Sequence, residues 1–184
     1  MRDIVDFDSL HHIFPGRHFY QFYKTVEDFL LVMVPFFRQG LEKGEACLWL
    51  VSKRNGAEAA RQSALILIPK CAEYMESGQF HILPAEDWYL TEGAFDEERA
   101  IQNAGRYWVQ IQNLGFHTLR AAGDIGGAIH RSQWPLVEAY EKKISPWIAS
   151  EGVIALCAYP ILECTPTQTR GVVGCHEDVL VGRF

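Results

Sequence analysis

The sequence predicts an α/β fold: three layers, with a mostly parallel central sheet and helices on both faces. Three observations carry this expectation. Strand-like and helix-like segments alternate five times along 184 residues, the pattern of successive βαβ crossovers. Two strand segments, ACLWLVS at 46–52 and VIALCAYP at 153–160, are almost unbroken apolar runs, as strands covered on both faces require. Finally, a chain of this length that is 48% hydrophobic and 12% aromatic suits one domain with a sizeable core.

The elements follow in order. Residues 1–17 read as a lead-in broken at Pro15-Gly16, and 18–184 as the domain proper. The first strand is His18–Tyr23. Thr25 caps the first helix, with Asp28 as its capping-box partner. Phe29, Leu30, Met33, Phe36, Phe37 and Leu41 recur at helical spacing, and Gly40 and Gly44 punctuate the end. The second strand is the apolar run at 46–52. Asn55 is expected to cap a helix to about Ile68, with a further turn to Met75 after Pro69. A third strand covers 79–83. Residues 86–93 mix charge and aromatics without a period and read as loop. Asp96 caps a third helix to about Asn113. A fourth strand and a glycine-rich turn lie within 116–124. Trp134-Pro135 opens a helix ending near Glu151-Gly152, and 153–160 is the fifth strand. The tail at 161–174 reads as irregular, and 175–181 as a short helix or edge strand.

Charge and composition exclude several roles. A net charge of −6, with no basic stripe, argues against direct nucleic-acid binding. The N-terminus MRDIVDFDSL has no apolar signal-peptide core, and the apolar run 29–37 is short and broken by Pro35. A cytoplasmic protein without membrane contact is expected. Five cysteines with no CxxC spacing read as thiols in a reducing compartment.

The first strand-to-helix turn is Tyr23-Lys24-Thr25. It has neither the glycines nor the GK[ST] element that wraps a phosphate, and Glu27 and Asp28 occupy the first helical turn. ATP chemistry is therefore disfavoured. Nor is there a GxSxG elbow or an HExxH pair, so the chain is read as non-catalytic.

An ordered series of segments carries a resemblance: RHFYQFY, PFFRQGLEKGEACLWLVS, SGQFHILPAEDWYLTEGAFD, LGFHTLRAAGDIGG, WPLVEAYEKKI, ALCAYP and a late CHEDVL. Together they resemble the MEDS domain, the sensory domain of methanogens, methylotrophs and the DcmR regulator, over about residues 18–182. The resemblance implies a fold related to the KaiC and RecA core with the nucleotide loop lost. It implies a small-molecule-sensing regulatory role, with small hydrocarbon derivatives as proposed ligands. It also implies a histidine kinase or transcription regulator as partner or fused domain. The chain is expected to be a stand-alone sensor or a piece of a longer regulator, with a homodimer as one arrangement. No cofactor is expected beyond the small organic ligand.

In a wound parallel sheet the ligand crevice lies beyond the carboxyl ends of the strands. The candidate ligand-binding residues are His18, Tyr20, Tyr23, Arg120, Asp124, Cys157, Tyr159 and His176. His18 and His176 match histidines of the family pattern. Arg120 could offer a planar fork to a carboxylate or simply pair with Asp124 or Glu141. Cys157, on alternation, shares a face with Ala155 and Tyr159. Glu45 and Glu141 read by default as solvated or ion-paired. Trp88 and Tyr89 could cover the crevice. Two alternatives stand beside ligand sensing. One is a protein–protein interaction module without its own ligand. The other is a metal or haem sensor using Cys164, Cys175 and His176, with His11 or His12.

Overall fold

The computed structural model describes residues 4–5 and 13–180. Its centre is a seven-stranded sheet in which every pairing is parallel. The strands are β1 (Ile4–Val5), β2 (His18–Tyr23), β3 (Ala46–Val51), β4 (Phe80–Pro84), β7 (Leu119–Gly123), β8 (Ile154–Pro160) and β9 (Asp178–Leu180), in the order β1-β9-β2-β8-β7-β3-β4. A separate antiparallel hairpin joins β5 (Leu90–Thr91) to β6 (Ala94–Phe95).

Helices cover both faces, which explains why β3 and β8 are buried along their whole length. On one face lie α1 (Val26–Glu42), α2 (Ala57–Leu67) and α3 (Cys71–Glu76), packed on Phe19, Trp49, Ile154 and Leu156. On the other lie α4 (Ala85–Tyr89), α5 (Glu97–Asn113), α7 (Trp134–Glu151) and α8 (Pro166–Cys175), packed on Tyr20, Leu48, Leu119, Ala155 and Tyr159. A short turn of helix, α6 (Ile125–Ala128), follows β7. The three-layer α/β expectation therefore holds. Strand alternation sorts the side chains: Ile154, Leu156 and Ala158 enter the first core, and Ala155, Cys157 and Tyr159 the second.

The local signals explain most boundaries. Thr25 caps α1 in a reciprocal box with Asp28, and Asp96 caps α5 by accepting from the Arg99 amide. Gly152 ends α7 in the left-handed conformation that a side chain disfavours.

Four expectations are corrected. Asn55 does not cap α2; Gly56 holds that position, and the Asn55 amide donates to Asp124 instead. The stretch 86–93 contains the end of α4 and the start of the hairpin rather than loop alone. The irregular tail is largely α8, capped by a Thr165–Gln168 box that was legible in TPTQ. Finally, of the two readings of 175–181 the strand is the one formed, but it is no edge: β9 pairs with β2, and Ile4–Val5 of the lead-in adds β1 beyond it.

Candidate functional site

One buried charged group lies under the second face of the sheet. Along α7 the buried residues Trp134, Val137, Tyr140, Glu141, Ile144 and Ile148 form one stripe. Glu141 is the single acidic member, delivered by helical spacing into a layer that is otherwise apolar. It is 2% exposed. Its cost is offset by what surrounds it. The Tyr159 hydroxyl donates to Glu141 Oε1 at 2.6 Å. His18 Nε2 lies 3.4 Å and His176 Nε2 3.8 Å from Glu141 Oε2. The Cys157 thiol is 3.6 Å from the same oxygen and 3.3 Å from His18 Nε2.

Each member has a clear structural origin. His18 opens β2, whose register sets His18 against Ala155 and Tyr20 against Cys157. Cys157 and Tyr159 are alternate residues of β8 and so point to the same side. His176 sits where α8 ends and the chain turns into β9. The cluster thus ties β2, β8, α7 and the α8–β9 junction together.

The outer hydrogen bonds fix the imidazoles. His176 Nδ1 is 2.7 Å from the Val172 carbonyl, which can only accept, so Nδ1 carries the proton. Ser145 Oγ donates to the Glu141 backbone carbonyl at 2.8 Å and therefore accepts from His18 Nδ1 at 2.7 Å. Both Nε2 atoms are thereby directed at the carboxylate. Burial alone would raise the Glu141 carboxyl. The His18 hydrogen bond, the charge of both imidazoles and the Tyr159 hydroxyl outweigh it and hold the group at about 2. Burial, and then the Glu141 charge, push the Cys157 thiol and the Tyr159 phenol well up.

Beside this cluster lies a cavity of about 60 Å³ on the face of the sheet. Leu48, Leu50, Leu119 and Ala121 form its floor, and Trp88, Tyr89, Tyr107, Tyr140, Ile144 and Trp147 its roof and walls. His18 and Cys157 line it as well, so the cavity and the polar cluster share a wall. Gly123 must lack a side chain here, since a Cβ would run into the Tyr89 hydroxyl.

The candidate residues divide into separate groups. The structure brings His18, Cys157, Tyr159 and His176 together, with the Tyr20 ring 5.6 Å from that of His176. It does not bring Tyr23, Asp124 or Arg120 to them. Tyr23 points to the opposite face, and its hydroxyl donates to Asp124 Oδ1 at 2.8 Å. Asp124 also accepts from the Ser52 hydroxyl and from Asn55 at 2.8 Å, so these strand-end groups are occupied with one another. Arg120 pairs with neither Asp124 nor Glu141. It makes a buried two-point contact to Glu45, 2.6 Å from Nε and 3.2 Å from Nη2, and its guanidinium lies 4.8 Å above the Phe36 ring. The first turn is likewise occupied: the Asp28 carboxylate accepts from the amides of Lys24 and Thr25.

Among the described residues, the ligating side chains that converge within 4.8 Å are His18, Glu141, Cys157 and His176. Of the metal candidates read from sequence only His176 is among them. The Cys164 thiol reaches the Pro160 carbonyl at 3.4 Å and that of Cys175 the Glu138 carbonyl at 3.9 Å. His11 and His12 lie outside the described residues. Sequence reading gave Glu141 only a default solvated or ion-paired role and did not single out Ser145. The available signal for Glu141 was its place in the apolar stripe of α7.

These features define a class: a parallel three-layer α/β domain whose first turn is closed by its own carboxylate and whose polar centre is sealed between sheet and helices. Residues 17–177 match the family model of MEDS, the MEthanogen/methylotroph, DcmR Sensory domain. The chain belongs to that family, and its role is accordingly sensory and regulatory. No curated protein matches it. No helix among the described residues is long and apolar enough to cross a membrane.

Proposed function

We propose that this chain is a non-catalytic regulatory domain that senses a small organic molecule bound in the sheet-face cavity. The observation that carries the reading is the shared wall: an apolar cavity meets a buried polar cluster at His18 and Cys157. Small-molecule sites are built this way, from apolar walls and a few fixed polar groups. The sequence placed the ligand at the carboxyl ends of the strands, where Tyr23, Ser52, Asn55 and Asp124 consume one another's hydrogen bonds. We place it instead against the middle of the sheet.

The cavity sets the ligand class. A water-sized centre needs about 10–15 Å³, so the space suits a molecule of about four to six heavy atoms. Its walls favour a neutral, largely apolar compound with one polar atom near His18 or Cys157, in keeping with the hydrocarbon derivatives that the family resemblance implies. The Cys157 thiol is pushed up rather than down, the reverse of an activated nucleophile, which supports a binding role. The cluster also offers a route for the signal. His176 belongs both to the cluster and to the segment that adds β9, so a ligand displacing His18 or Cys157 acts on the C-terminal strand of the sheet.

Thermal unfolding of the purified chain, screened against short alcohols, ketones, halocarbons and carboxylates, tests the reading. A saturable rise in Tm with a neutral apolar member is expected, and its absence from Ala121→Leu, which fills the cavity, places the site. A panel without any saturable response contradicts the proposal.

A further inference from the structure

We propose that His18, Glu141, Cys157 and His176 form a binding site for one zinc-like divalent metal ion. This does not depend on which organic molecule the cavity accepts.

The first argument is geometric. A tetrahedral centre with metal–donor lengths of about 2.0–2.3 Å has donor–donor edges of about 3.3–3.8 Å. Around Glu141 Oε2 the distances are 3.4 Å to His18 Nε2, 3.6 Å to Cys157 Sγ and 3.8 Å to His176 Nε2. His18 Nε2 and Cys157 Sγ are 3.3 Å apart. All four donor atoms fall within 4.8 Å of one another, so small side-chain rotations suffice to centre an ion.

The second argument concerns proton positions. Val172 and Ser145 hold the ring protons on Nδ1 of His176 and His18. With Nδ1 turned to those outer partners, both Nε2 atoms face one carboxylate oxygen, and three potential ligand atoms converge on one buried point. Metal-bound histidines are commonly fixed in this manner, the distal nitrogen donating to a carbonyl or hydroxyl while the proximal one ligates.

Charge balance supplies the third. On binding, the Cys157 S–H bond breaks, a metal–sulfur bond forms, and its proton leaves to solvent together with any proton carried at Nε2 of His18 or His176. Thiolate and carboxylate then carry two negative charges, which a divalent ion cancels, leaving the buried site neutral. Magnesium and calcium are unsuited to this donor set, which is half imidazole and part thiolate; zinc and cobalt(II) suit it.

The test uses the full chain, stripped with chelator under reducing conditions and titrated with Co²⁺ and then Zn²⁺. Elemental analysis should find one equivalent bound. The Co²⁺ form should show intense tetrahedral visible bands and a near-ultraviolet thiolate-to-cobalt band, both removed by Zn²⁺. The thiolate band should vanish in Cys157→Ser and persist in Cys164→Ser and Cys175→Ser, with circular dichroism confirming that each variant is folded. Less than half an equivalent on the wild type overturns the proposal whatever the variants do. So does a thiolate band that survives Cys157→Ser or depends on Cys164 or Cys175. Repeating the organic-ligand screen on stripped protein separates the two proposals: loss of metal uptake with ligand response intact removes only this one.

Discussion

His18 and His176 come from the two ends of the domain, and their rings meet with centroids 4.2 Å apart while both direct Nε2 at one oxygen of Glu141. The relationship joins the first long strand to the last segment of the sheet through a side chain on the intervening helix. Disturbing Glu141 therefore loosens both ends together. Glu141→Gln should cost about 3–5 kcal/mol, since it removes one partner from a buried charged group. Tyr159→Phe, which deletes a single hydrogen bond to that carboxylate, should cost about 1–3 kcal/mol. Urea unfolding measures both, and equal losses would show that Glu141 is not the hub.

Arg120 belongs to the scaffold. Its guanidinium is fully buried against Glu45, and a Cβ on Gly40 would come within 2.6 Å of Arg120 Nε and 2.8 Å of Glu45 Oε2. Gly40→Ala should cost about 1–3 kcal/mol through overpacking. Arg120→Met alone should cost about 3–5 kcal/mol, and the pair Arg120→Met with Glu45→Leu should recover most of it, because no charge is then left unpaired. A double-mutant cycle by urea unfolding gives the coupling. A cycle near zero would remove the ion pair from the structural account.

Asp124 gives stability a pH dependence of identifiable sign. Burial raises its carboxyl above the usual value, and the hydrogen bonds from Ser52, Tyr23 and Asn55 compensate only in part. A folded pKa above the unfolded one means that the folded state binds the proton more tightly. That contribution is fully present below the unfolded value of about 4 and is lost as pH rises through the folded value. Relative to Asp124→Asn, the wild type should therefore lose stability as pH climbs from about 3 toward neutrality. Urea midpoints across that range check the sign; a difference that grows in favour of the wild type contradicts it.

Two of the five tryptophans, Trp88 and Trp147, line the cavity. A bound organic molecule should alter their emission, with Trp88→Phe and Trp147→Phe each removing part of the change. A response that survives both substitutions would locate binding elsewhere.

The sequence made the layers legible because apolar periodicity and caps act locally. Thr25, Asp96 and the run at 153–160 each specify an element through neighbours within a few residues. The site was half legible. Alternation put Cys157 and Tyr159 on one face, yet nothing local says that Arg120, one residue from Ala121, faces Glu45 rather than a ligand. That depends on which helix covers each side of β7. Glu141 was visible as an acid in an apolar stripe, but its meaning required His18 and His176, which lie 123 and 35 residues away. Asn55 shows the reverse case: a good capping residue was drawn off by Asp124, a tertiary partner stronger than the local one.

Sensing through the sheet-face cavity is tested most directly by titrating wild type and Ala121→Leu with the strongest neutral apolar compound from the thermal screen while following tryptophan emission. The wild type should give a saturable isotherm near one molecule per chain, and the filled variant, folded by circular dichroism, none. Matching isotherms in the two proteins, or no saturation in either, would contradict it.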